Sequence, residues 1–247
     1  MNSSNLYAIV TGCASGIGNE IAKRFNSTGI HVIGLDIEEC QCDYLTYVCD
    51  VSNEDQIKQV FKSIAQRTKQ IDYLVNAAGL LTIGKPLCLK EMSIKQWDAI
   101  MRINLRSVLV MIKNVYPFML ESERASIINI SSEQVYNPDI GYSPYAVSKS
   151  GINMLTMCAA KEFLNEKIRV NAIALGTVKT NILKCLDISS DQENIMFEKK
   201  NNQIPFGIMN SSNVADLIEF LVSDSAKFIT GEIIRCDGGG FLAPKGY

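Results

Sequence analysis

What most constrains the fold of this 247-residue chain is an alternation repeated along its length: short runs of Val, Ile and Leu, apolar throughout, each followed by a different kind of segment. "LYAIV" precedes a helical period over 17–28, "HVIGLD" precedes a short loop, "LTYVCDV" precedes 53–68, and "IDYLVNAAG" precedes 97–119. The second half repeats the pattern, with "SIINISS" before 144–165, "IRVNAIALG" before a loop, and 213–222 before "EIIRCDGGG". A strand that is apolar on both sides must be covered on both, and helices between such strands make them parallel. The expected architecture is a single α/β domain over 1–247: a doubly wound parallel sheet of about seven strands with helices on both faces.

The net charge of -2 and the lack of any long basic run argue against a nucleic-acid surface. The opening "MNSSNLYAIVTG" has no positive leader, and its apolar run is too short for a signal peptide or membrane span. A cytoplasmic location with no membrane partner is expected. The eight cysteines show neither a CxxC pair nor zinc spacing, so they are expected to be reduced and mostly buried, with no metal site. One segment, 177–205, is polar, rich in lysine and without a long apolar stripe until Ile204. It follows a strand's carboxyl end, where open α/β sheets bind ligands, and reads as a loop-like substrate lid.

After the first strand comes "TGCASGIG", in which Gly12, Gly16 and Gly18 lead into an amphipathic helix. Glycines there let the backbone turn tightly against a pyrophosphate facing the helix N-terminus. Asp36 ends the second strand eighteen positions past Gly18, close to the spacing of about twenty expected for a ribose-binding acid. Its carboxylate would repel a 2'-phosphate, and neither Ser15 nor Ile37 supplies a cation, so NAD(H) is favoured over NADP(H).

With these motifs in hand the chain resembles the short-chain dehydrogenase/reductase family over nearly its whole length. "TGCASGIG" matches that family's glycine motif, "CDV" (49–51) its adenine contact, and "NAAG" (76–79) its fourth-strand signature. Asn104, Ser132, Tyr145 and Lys149 match its catalytic tetrad, the last two as YxxxK. The resemblance implies a Rossmann-like NAD(P)-binding domain. It places Ser15, Ile17, Asp50, Val51, Asn76, Ala77, Gly79, Gly176, Val178 and Thr180, with Tyr145 and Lys149, against the cofactor. It also implies a homotetramer joined through 97–119, 144–165 and the C-terminal strand region. The chain departs from the family at Leu175, where Pro is usual; this frees one φ angle, and altered loop geometry is expected.

In "YSPYAVSKSG", Ser143 is expected to cap a helix that begins at Pro144 and carries Tyr145 and Lys149 one turn apart. Bringing a phenol from a pKa of about 10 to near 7 takes roughly 4 kcal/mol. A cation about 4 Å away at an effective dielectric of about 20 supplies that much. Tyr145 is therefore expected to be the acid/base, made acidic by Lys149, with Ser132 bonding the substrate oxygen. By resemblance, Asn104 holds a water in a proton relay. The lone His31 opens the second strand, away from this site, which argues against a Ser-His-acid hydrolase.

The substrate is expected to be a small polar or cyclic alcohol or ketone, dihydrodiol-like by resemblance. It would face Leu81 to Ile83, Glu133 to Tyr142, Leu175 and the 177–205 segment. The enzymatic alternative is a 3-oxoacyl-[acyl-carrier-protein] reductase using NADPH. The alternative of another class is a catalytically weak dinucleotide-binding regulatory protein.

Overall fold

The computed structural model describes residues 6–186 and 188–243. Seven strands form one parallel sheet: β1 (Tyr7–Thr11), β2 (His31–Asp36), β3 (Leu45–Val48), β4 (Tyr73–Asn76), β5 (Ser126–Ser132), β6 (Arg169–Leu175) and, as the last of the nine strands in chain order, β9 (Ile233–Cys236). Their spatial order is β3-β2-β1-β4-β5-β6-β9, and every pairing is parallel. The order reverses between β1 and β4, which opens a crevice at the strands' carboxyl ends. Two residues each of β7 (Val178–Lys179) and β8 (Met209–Asn210) pair outside the main sheet.

Strand side chains alternate between two cores. Ile9, Leu74 and Ile127 join one apolar cluster under α2 (Glu54–Ile64), α4 (Ser107–Met119) and α5 (Ser143–Glu162). Ala8, Val10, Tyr73 and Ile128 join the other, under α1 (Gly16–Ser27) and α7 (Ser211–Val222). The strands' unbroken apolar runs have this cause: both faces are buried.

Four sequence expectations are corrected. The helical segment at 97–119 is interrupted: α3 (Ile94–Met101) and α4 are joined by a five-residue π-turn, Arg102–Arg106. The 177–205 segment is not a loop, since it holds a 3₁₀ turn (Asn181–Leu186) and a three-turn helix, α6 (Ser190–Asn201). Helix α6 starts on a capping box in which Ser189 and Gln192 satisfy each other's backbone N–H groups, which settles the helix start without an apolar stripe. Ser143 does not cap α5: it is the first helical residue after the N-cap Tyr142, and its Oγ is buried with no hydrogen-bond partner. Of the described cysteines, Cys13 and Cys49 are buried, Cys88 and Cys158 exposed, and Cys40, Cys42 and Cys236 lie between.

No helix among the described residues is long and apolar enough to cross a membrane. Among the same residues no group of three His, Cys, Asp or Glu side chains gathers as a metal site would require.

Candidate active site

Strand β5 ends at Ser132, and α5 lies alongside it, so residues thirteen apart in sequence meet at the sheet's carboxyl edge. The Ser132 hydroxyl faces the Tyr145 phenol closely enough to favour its ionised form. Ser132 Oγ also accepts the Gln134 N–H at 3.2 Å, which leaves its own proton free to point at the tyrosine or at a ligand. One turn along α5, Lys149 Nζ lies 5.5 Å from the centre of the Tyr145 ring and donates to the Ile130 carbonyl at 2.8 Å. Ser131 holds the other end of that turn by donating to the Lys149 carbonyl at 3.3 Å.

Asn104 is brought to the same place by the π-turn and is fully buried. Its amide clasps the backbone of Leu80 from both sides, accepting the Leu80 N–H and donating to the Leu80 carbonyl, each at 2.8 Å. It also donates to Ser148 Oγ at 3.2 Å. Gly79 lies between Asn104 and Lys149: a Cβ there would sit 3.3 Å from Asn104 Oδ1 and 3.6 Å from Lys149 Nζ. The four expected tetrad residues therefore form one cluster.

The electrostatics differ from expectation. Burial pushes the Tyr145 phenol above its ordinary pKa, opposed by the nearby Ser132 hydroxyl and reinforced by the Glu133 carboxylate. Burial also pushes Lys149 down, to about 8. Desolvation disfavours both charged forms at once, so the phenol made acidic by its lysine is not what this environment yields.

The glycine loop lies beside this cluster. Gly12 turns with φ +73°, and a Cβ on it would touch Ala78 at 3.0 Å; one on Gly18 would collide with the Gly12 carbonyl oxygen. Ser15, at the N-cap of α1, makes no side-chain cap, so the first N–H groups of that helix are not taken up by it. Ile17 packs into the core below. Gly16 faces Thr180, whose side chain would be 3.5 Å from a Cβ there, so the two expected cofactor-binding segments are neighbours. Asp36 is partly engaged: its oxygens accept the N–H groups of Ala14 (2.9 Å) and Glu38 (3.1 Å), each keeping a second lone pair. Asp50 turns the chain after β3 by accepting the Ser52 N–H, and Val51 is buried. Asn76 donates to Asn129, which donates to Thr156 on α5. Ala77 shares with Ala78 the Thr11 hydroxyl as acceptor, at 3.1 Å each. Gly176 lets β6 pass close to Asp237, and Val178 is buried. A nucleotide pyrophosphate fits this set, because a backbone cradle without side chains opens onto a helix N-terminus left uncapped by Ser15.

One expected substrate contact is corrected. Leu175 is 5% exposed within the core under α1 and α7, so it does not line a substrate surface. Residues the sequence reading passed over are Thr11, Ser148 and Ser131, which hold the loop and the tetrad in place. Their signal was position: Thr11 closes β1 before Gly12, and Ser148 stands three residues after Tyr145.

A family model described as enoyl-(acyl carrier protein) reductase matches residues 12–240. A 3-oxoacyl-[acyl-carrier-protein] reductase of Thermotoga maritima is 34% identical, with 97% of this chain and 99% of that protein aligned. The chain belongs to the short-chain dehydrogenase/reductase family. Among solved structures of this oxidoreductase family it is similar to the ligand-free aldohexose dehydrogenase of Thermoplasma acidophilum, with a TM-score of 0.91, 31% identity, and 99% and 97% of the two chains covered. A short-chain dehydrogenase/reductase of unknown function from Caenorhabditis elegans, solved with cofactor, matches with a TM-score of 0.88 and 25% identity over 98% and 97% of the chains.

Proposed function

We propose that this protein interconverts a secondary alcohol and a ketone with NAD(H), with Tyr145 carrying the proton at the substrate oxygen. The observation that carries the reading is the approach of the Ser132 hydroxyl to the Tyr145 phenol beside a buried lysine: two hydroxyls converge where one substrate oxygen fits between them. When bound, the dinucleotide supplies the hydride acceptor in one direction and the donor in the other. A phenol kept protonated by its surroundings suits proton donation to a ketone oxygen, which supports reduction as the favoured sense. Lys149 stabilises the tyrosinate left behind, and its link to Ile130 fixes where that charge stands. Asn104 acts from a fixed position, since both ends of its amide are held by Leu80.

Asp36 supports NAD(H): it keeps free lone pairs for ribose hydroxyls, and its charge repels a 2'-phosphate. The name of the Thermotoga relative supports a 3-oxoacyl thioester as substrate, and supports it better than the residues alone support a dihydrodiol. A small hydroxylated substrate is favoured by a carboxylate, Glu133, next to Ser132, and by the aldohexose dehydrogenase likeness. Exposed apolar side chains on α4 and α5, among them Leu109, Val147, Met154 and Met157, support the homotetramer.

The test is Tyr145→Phe, assayed by nicotinamide absorbance over a panel of ketones and alcohols. Turnover should fall by roughly 10²- to 10⁴-fold, the share a positioned acid/base contributes, while dinucleotide affinity stays within about twofold. A variant that keeps most of its turnover ends the assignment. The same assay gives the NADH to NADPH ratio, which should exceed one and fall in Asp36→Ala.

A further inference from the structure

Strand β5 runs directly into a 3₁₀ turn, Glu133–Val135, so Glu133 follows Ser132 without a gap. The turn does not use its carboxylate, because the Gln134 N–H goes to Ser132 Oγ instead. Among the described residues no hydrogen bond or ion pair takes up that carboxylate, although the side chain is half-buried. Burial raises its carboxyl above the usual range; Lys200 opposes this, while Asp237 and Asp139 add to it.

The surroundings place Glu133 on the substrate side of the cluster. Its charge acts on Tyr145. Across from it stands the C-terminal turn, where a Cβ on Gly240 would lie 3.8 Å from Glu133 Oε2 and 3.5 Å from Ile204. Lys200 belongs to α6, the helix of the expected lid. The wall opposite is held by Arg235, whose guanidinium lies 4.5 Å from the Phe241 ring centre and 5.8 Å from that of Tyr136. An acceptor with spare lone pairs thus stands between the reacting oxygen's position and the helix and turn that would cover a substrate.

We infer that Glu133 is a specificity-determining residue, its carboxylate accepting a hydrogen bond from a second hydroxyl of the substrate close to the reacting carbon. The inference rests on the alcohol/ketone reading and narrows it to polyhydroxylated substrates, such as cyclic diols and sugars. A hydroxyl is the fitting donor, since Lys200 already supplies the positive charge facing the carboxylate and would repel an ammonium. A carboxylate here also leaves a 3-oxoacyl thioester, which has no O–H or N–H beside its reacting carbonyl, with an unmet acceptor.

The experiment compares kcat/KM for cyclohexane-1,2-diol and cyclohexanol in the protein, Glu133→Gln and Glu133→Leu. The amino alcohol 2-aminocyclohexanol and the acetoacetyl thioester of N-acetylcysteamine serve as further probes. The protein should prefer the diol to cyclohexanol by roughly 10- to 100-fold, what a hydrogen bond to a charged group contributes. Glu133→Leu should erase that ratio, and Glu133→Gln, still an acceptor, should keep part of it. Dinucleotide binding and the thermal midpoint of each variant check that it folds; should Glu133→Leu not fold, the unmodified protein's ratio and that of Glu133→Gln decide. A diol ratio near one, or one unchanged in both variants, overturns the inference and leaves the alcohol/ketone reading standing. So does preference for the thioester or the amino alcohol. Failure to turn over any probe in either direction overturns both.

Discussion

Helices α1 and α6 are each twelve residues long and relate to the sheet in opposite ways. Helix α1 buries Gly18, Ile21, Ala22 and Phe25, spaced to form one apolar stripe, while Ser15 leaves its first turn uncapped. Helix α6 buries only Phe197, leaves Ile195 64% and Met196 42% exposed, and closes its own first turn with the Ser189/Gln192 box. One helix takes its stability from the core and leaves its N-terminus open to an anion. The other takes its stability from local bonds and meets the body through one buried aromatic ring and, at its last residue, the Asn201 side chain, which accepts the Ile208 N–H. The difference teaches how two parts of one crevice can behave differently: the glycine-loop side is built into the global fold, and the side proposed to cover a substrate is held by fewer buried contacts.

The strongest way to break this comparison is a pair of equal truncations. Phe25→Ala should lower global stability by about 3–5 kcal/mol, as for a well-packed aromatic. Phe197→Ala should lower it by less than half as much, while amide exchange in α6 accelerates. Equal losses in urea unfolding would show that α6 is part of the core after all.

The second test uses charge. An unfolded lysine titrates near about 10.4, so between about pH 8 and that value the unfolded chain binds a proton that folded Lys149 does not, and stability rises with pH across the window. Tyr145, held protonated, works the other way, but only where unfolded tyrosine ionises, above about 10. From pH 8 to 10 the unfolding free energy should therefore climb relative to Lys149→Met, by on the order of 2 kcal/mol.

The smallest effect sharpens the comparison at one cap. Ser189→Ala should destabilise α6 locally by about 1 kcal/mol, read as amide exchange in its first turn, with no measurable change in the global midpoint. A drop in that midpoint would mean that α6 unfolds with the rest.

The same contrast governs what the sequence disclosed. Strands buried on both faces had to be apolar throughout, so β1, β4, β5 and β6 were legible, as was the doubly wound parallel architecture they imply. The glycine loop and the Tyr145/Lys149 pair were legible because their spacing is set by local backbone geometry. Helix α6 was missed because it has almost no buried stripe for periodicity to detect, although Ser189-x-x-Gln192 was a capping signature in plain view. The π-turn was missed because 97–119 reads as one helical period throughout, and such single-turn bulges sit inside otherwise regular helices. The sign of the shift at Tyr145 was misjudged because charge pairing follows from sequence spacing, whereas depth of burial follows only from the packed whole.

The π-turn carries a consequence for anyone editing this chain. A helix advances by about 100° per residue, so deleting a single residue between Arg102 and Arg106 would let α3 and α4 fuse into one regular rod. That rod would form more readily, and in forming it would swing Asn104 away from Leu80 and unlatch the strand-end loop that separates it from Lys149. Here a local gain in regularity would dismantle the site, because the irregular turn is what aims it.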